Sequence, residues 1–229
     1  LSAYDHWIAA RTGEAVKRVR SALDNYKFNE AALEIYAFTW DELCDWYLEF
    51  SKGTLYSEEA PEAAKQGARH TLWLVFQSLA RLFHPIMPFL SEEIWQQLPH
   101  TEGTIVTAPY PKVTDYPSDP KALEQVATIQ GIITAIRRIR ADMEISPKVP
   151  VRLRADETEV LKAHFDALRD LAGVESVEEG GRSGPASTFV VEGRSYFVPL
   201  EGVVDLDDER KRLEKVIAKI DKDLKFLAA

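Results

Sequence analysis

Apolar positions recur near helical spacing over the first 24 residues, at Tyr4, Ile8, Val16, Val19 and Leu23, and no proline interrupts them. That spacing predicts a first helix. After a polar break at Asp24 and Asn25, "NYKFNEAALEIYAFTWDELCDWYLEFSKG" places Ala32, Ile35, Tyr36, Leu43 and Tyr47 on a broad apolar face and stops at Gly53, which predicts a second. The breaker-rich "YSEEAPEAAKQG" separates it from "ARHTLWLVFQSLARLF", apolar nearly all round, the signature of a helix buried in the middle of a bundle and ended by Pro85. Within "LFHPIMPFLSEEIWQQLP", His84, Pro85 and Pro88 mark a turn expected to be buried. Ser91 is the expected N-cap of a short fourth helix, with Glu92 and Glu93 complementing its positive end and Pro99 closing it.

Residues 100 to 120 hold four prolines, and predict an irregular surface crossing with one strand at "TIVTA". A long fifth helix follows in "KALEQVATIQGIITAIRRIRADM", through Leu123, Val126, Ile129, Ile133 and Ile136. Beyond Pro147 the period changes. "VPVRLRA" alternates, "ETEVLKAHFDALRDLAG" is a helix with a glycine stop, and "VESV", "STFVVE" and "RSYFVPL" are strands, the last two joined at a tight Glu192–Gly193 turn. "EEGGRSGPA" is expected as a mobile loop. In the last 25 residues Leu213, Ile217, Ile220, Leu224 and Leu227 recur at alternating steps of four and three, one strand of a coiled coil whose partner is not evident in the chain. The expected architecture is mainly α: an up-down helical bundle over 1–146, a small α+β module over 147–203, and the first helix of a truncated coiled-coil arm over 204–229.

Composition removes whole classes. A content of 45% hydrophobic residues supports a globular protein, and the single cysteine, Cys44, leaves neither a disulfide framework nor a cysteine-based zinc site. No apolar run reaches the roughly 18–20 residues that span a bilayer, and the first residues lack a signal pattern, so a cytoplasmic, membrane-free chain is expected. Catalytic candidates are weak. Asp41, Glu42, Asp45 and Glu49 read as the solvated side of a helix, His70 and His84 lie four turns apart, too far to share a metal, and "GGRSG" lacks the strand-before and helix-after context of a phosphate loop and reads as a flexible hairpin loop. Neither catalytic residue, metal nor cofactor is predicted.

A net charge of −9 argues against indiscriminate nucleic-acid binding, yet residues 137 to 154 carry six basic and two acidic side chains, so the sign reverses locally. Such a run serves equally as a solvated helix end or as an RNA contact. Topology favours the second use. With helices of about 22 residues, some 33 Å long, joined by short turns, the ends of the first, third and fifth helices meet at one pole of the bundle. Arg20, Lys27, Arg81, Arg137, Arg138 and Arg140 would gather there, with Phe28 and Tyr26 nearby, and arginine with aromatic side chains suits unstacked bases and phosphates.

"HPIMPFLSEEIWQQLP", "ALDNYKFNEAALEIYAFTWDELCDWYLE" and "IRRIRADMEISP" resemble the anticodon-binding region of bacterial valyl-tRNA synthetases, with the following small domain and the start of their C-terminal coiled coil. The resemblance runs the whole length. The histidine–proline turn recurs among class I synthetases for branched aliphatic amino acids; the "DWYLE" helix, the "IRRIRADMEI" stretch and the heptad tail, in place of a cysteine-rich zinc tail, favour valine. The resemblance implies docking of the anticodon stem-loop of the tRNA for valine, with the catalytic and editing domains of the same polypeptide as further partners and no role for DNA. The family's HIGH and KMSKS signatures are absent, so ATP with magnesium belongs to the full-length enzyme, and this fragment alone is expected not to charge tRNA. Two alternatives stay open: the same region of an isoleucine or leucine enzyme, and a noncatalytic helical protein-interaction scaffold.

Overall fold

The computed structural model describes residues 1–99 and 101–204 together with Arg210, Glu214, Ile217 and Ile220. The chain forms two compact units, Leu1–Ala127 and Thr128–Ala229. The first is a helical bundle. Helix α1 (Ala3–Asp24) opens with a capping box in which Ser2 and Asp5 satisfy each other's backbone donors. A turn at Asn25–Lys27 leads to α2 (Phe28–Ala37), which continues without a break through a π-helical segment (Phe38–Tyr47) into α3 (Leu48–Leu55). Three pairings fix this long helix against α1: Tyr47 donates to Asp5 at 2.6 Å, Arg11 grips Glu42 in a fork at 2.5 and 2.6 Å, and Arg18 reaches Glu34 at 2.6 Å. The partners descend along one helix as they ascend the other, so the two run antiparallel.

The second helix buries a different set of residues from the one its pattern suggests. Ala32 and Tyr36 are exposed, and Ala31, Ile35, Phe38, Leu43 and Tyr47 face the core. The step of five from Phe38 to Leu43 matches the wider i→i+5 coil of the π segment, which rotates the buried stripe. Trp40, inside this segment, is left on the surface, and Leu33 and Tyr36 are exposed on the regular turns before it. Helix α4 (Glu62–Phe83) begins after Pro61, inside the stretch expected to be a breaker, and supplies Ala68, Val75, Leu79 and Leu82 to the core.

The turn after α4 is exposed rather than buried. Pro85 through Leu90 all face solvent, Phe89 with 90% of its surface open. Helix α5 (Pro88–Gln97) starts at Pro88, three residues before the expected cap, because proline at a first helical position has no N–H to leave unsatisfied. Ser91 lies inside the helix, fully buried, its hydroxyl donating to the Pro88 carbonyl at 3.0 Å and lying 2.8 Å from His84 Nδ1. With its one proton given to Pro88, Ser91 accepts from His84, which fixes the Nδ1–H tautomer.

The crossing holds no strand at "TIVTA"; Ile105–Thr107 is a short 3₁₀ turn. Glu92 accepts from the Thr104 hydroxyl and the Ile105 N–H at 2.7 and 3.0 Å, and pulls Ile105 under Trp95 and Ala80. Further along, Tyr116 donates to Ser78 at 2.6 Å and lies against Gly13, where an added Cβ would come within 2.9 Å of the Tyr116 Cβ. Glycine in the middle of α1 is thus required by the crossing chain.

Helix α6 (Pro120–Asp142) spans the division between the units, which falls ahead of the expected boundary at residue 146. Its later turns belong to the α+β module: the tip of a β-hairpin lies on it, with Thr128 donating to Glu192 at 2.6 Å and a Cβ on Gly131 approaching Val191 to 2.7 Å. The module has strands β1 (Val151–Ala155), β2 (Val174–Glu179), β3 (Ala186–Val191) and β4 (Arg194–Pro199) in the order β2-β1-β4-β3. Strands β1 and β2 pair in parallel, as a βαβ crossover demands, whereas β4 pairs antiparallel with both neighbours. The expected single helix between β1 and β2 is two, α7 (Glu159–Ala163) and α8 (Phe165–Ala172), broken at His164. Glu192 and Gly193 form the expected two-residue turn with φ of 48° and 77°. The "GGRSG" segment is not a hairpin loop, since β2 and β3 lie at opposite edges of the sheet. Of the expected heptad helix, Arg210, Glu214, Ile217 and Ile220 have helical backbone, and Leu213, Leu224 and Leu227 lie outside the described residues.

Candidate nucleic-acid interface

At the far end of the bundle unit, the α1–α2 turn and the end of α4 are tied to one piece of the crossing chain. Arg20 donates to the Pro111 carbonyl at 3.1 Å and its guanidinium lies 5.6 Å from the centre of the Tyr110 ring; Arg81 donates to Pro109 at 2.8 Å and to Gln77 at 3.2 Å. Burial disfavours the Arg81 charge and lowers its pKa, and burial pushes the Tyr110 phenol up to about 12. The structure therefore brings Arg20 and Arg81 together, as clamps on Pro109–Pro111.

What this clamped end presents to solvent is aromatic. Tyr26 is 81% exposed and held in the left-handed region at φ 57°, an uncommon conformation for a residue with a Cβ. Phe28, also exposed, meets it edge to face with ring centres 6.4 Å apart. Lys27 stands between them in sequence, exposed and paired with Glu30 at 3.0 Å. Across the same end, beyond α4, Ile86, Met87 and Phe89 are open to water. Sequence reasoning passed over these three, because an apolar run reads as buried and only the fold turns it outward.

Residues 5–155 match the anticodon-binding domain of tRNA ligase. The chain belongs to that family. This anticodon-binding chain is similar to the valine–tRNA ligase of Syntrophotalea carbinolica, 38% identical over 234 residues, which covers 98% of the chain and 26% of that protein. To the valine–tRNA ligase of Geobacillus stearothermophilus it is 38% identical over 223 residues, 94% of the chain and 25% of the relative, and to that of Listeria monocytogenes it is 36% identical over 228 residues, 96% and 26%. It thus spans about a quarter of the length of the curated relatives it matches.

The three other arginines of the anticodon-binding chain expected at the bundle's pole, Arg137, Arg138 and Arg140, belong to the second compact unit, where two of them converge on the end of α8. Arg137 donates to the Leu171 carbonyl at 2.9 Å. Arg140 is buried and donates to Ala172, Gly173, Ser146 and Val149, all at 2.8–3.1 Å. The pair answers the negative end of α8, so the helix-end role that the sequence left open is filled on a different helix from the one bearing the arginines. Arg138 points away, 83% exposed, with Asp142 3.7 Å distant. Of the acidic residues weighed as catalytic, Glu42 is held by Arg11 and Glu49 by Lys52. No helix among the described residues is long and apolar enough to cross a membrane.

Proposed function

We propose that this chain is the tRNA-docking part of a valine–tRNA ligase, grips the anticodon stem-loop of the tRNA for valine with the aromatic end of its bundle, and works in the cytoplasm beside an editing domain and a catalytic domain that uses ATP with magnesium. The observation that carries this reading is the exposed Tyr26–Lys27–Phe28 turn. Two aromatic rings flank a cation on a backbone held in an unfavourable conformation, over a base fixed by Arg20 and Arg81. Conformations of this kind cost on the order of 1–3 kcal/mol and persist where the surroundings impose them, as at binding sites. Rings so placed offer stacking surfaces for unpaired bases, and the lysine offers charge to the phosphates.

A gel shift with transcripts of the tRNA for valine and of an unrelated tRNA tests the proposal. Phe28→Ala should weaken binding by at least about fivefold, the lower end of the value of one base stack. Tyr26→Asn should weaken it as well, while raising stability by roughly 0.5–1 kcal/mol, since asparagine tolerates the left-handed region better. Equal binding of both tRNAs, or unchanged binding by both variants, would overturn the reading.

A further inference from the structure

In the second unit a cavity of about 520 Å³ opens between the end of α6 and the end of α8. Its lining includes Arg137, Arg140 and Arg169 together with the apolar residues Ile145, Pro147 and Leu171. The volume falls in the range of pockets that hold small organic ligands. The charge of the wall is unusual for a protein of net charge −9. Asp170 is the one carboxylate on the wall among the described residues, and Arg169 holds it at 2.8 Å.

Arg140 makes the imbalance consequential. Its four hydrogen bonds all go to neutral carbonyl oxygens, and no carboxylate pairs with it among the described residues. A buried cation solvated by dipoles but lacking a counter-charge keeps a positive potential in the cavity beside it. Burial accordingly disfavours its charged form. The site is also rigid: Arg140 is locked by its four acceptors, and Gly173, at φ 67°, admits the guanidinium where a Cβ would come within 2.6 Å of Nη2.

An anion would supply the missing charge, and the apolar wall would cover a flat, uncharged body attached to it. We infer that this cavity takes one unpaired nucleotide, with its phosphate at the Arg137–Arg169 rim and its base or ribose against Ile145, Pro147 and Leu171. The inference rests on the tRNA-docking reading for the source of that nucleotide, and the same chemistry would admit a free nucleoside monophosphate. Arg169 at the rim is bound to Asp166 and Asp170 on the surface, and such exposed ion pairs are weak enough for a phosphate to compete.

Two arms test it on the whole chain. In the first, the tRNA for valine is titrated against the unchanged protein, Ala141→Trp, which fills the cavity from an exposed lining position, and Arg169→Glu, which reverses the rim charge; thermal melting confirms that both variants fold. Each should weaken tRNA binding by about fivefold or more, and Arg169→Glu should also flatten the salt dependence. In the second arm, uridine monophosphate and uridine are titrated while NMR follows the amides of Ala141, Ile145 and Leu171. The monophosphate should shift them, uridine much less, and Ala141→Trp should abolish the shifts. If tRNA binds the protein and both variants equally and the amides do not move, the cavity inference is overturned while the docking function stands. If tRNA does not bind but the monophosphate still shifts these amides, the docking function fails and the nucleotide site stands with a free ligand.

Discussion

Arg140 and Arg138 stand two residues apart in "IRRIR" and have opposite fates, because one faces four carbonyls and the other faces water. Removing Arg140 strands acceptors that the fold has taken out of solvent, so Arg140→Ala should destabilise the chain by about 3 kcal/mol in urea unfolding; Arg138→Ala should change stability by no more than about 0.5 kcal/mol. Equal effects would refute the division of labour described for the pair. Residue type was legible here and role was not: a run of arginines announces a local excess of positive charge, but nothing in the run says which guanidinium will meet the end of α8, some 30 residues later in the chain. Arg20 and Arg81 teach the same lesson. Both were expected at one end of the bundle and both are there, yet their donors hold Pro109–Pro111 in place.

Periodicity located the helices because burying an apolar stripe is what stabilises them, and it put Ala32 and Tyr36 on the wrong face of α2, where Ala31, Ile35 and Phe38 carry the buried stripe. Between Phe38 and Tyr47 the i→i+5 turn carries the buried stripe on to Leu43 and leaves Trp40 outside, 6.2 Å from Tyr36, which the preceding α-helical turns already expose. The α4–α5 junction shows the second kind of failure. Serine before an acidic pair is a strong cap signal, but Pro88 starts the helix earlier and Ser91 becomes an internal link to His84. Ser91→Ala should cost about 1 kcal/mol by leaving the His84 N–H without its partner, and a ¹⁵N-resolved histidine spectrum should show His84 losing its preference for the Nδ1–H tautomer. An unchanged tautomer in the variant would mean that the ring is held by something other than this hydrogen bond.

At the scale of the whole molecule, the bundle and the α+β module are both present in the order the sequence predicts, with the division displaced into α6 because its later turns are packed with the hairpin and the end of α8. On the docking proposal the chain should bind tRNA yet give no valine-dependent exchange of pyrophosphate into ATP; exchange above background in a clean preparation would contradict it. The succession of periods, 3.6 and then 2, determined the class of fold, the count of long helices and the Glu192–Gly193 turn, because these depend on neighbours within a few residues. Of the six basic side chains expected at one pole, Arg20, Lys27 and Arg81 belong to the bundle unit and Arg137, Arg138 and Arg140 to the second. Only the tertiary structure decided which of them face water. Exposure of Phe89, burial of Arg140 and the cavity beside it arise from segments far apart in sequence, and a side chain's environment is set by what the rest of the chain packs against it, which no local pattern records.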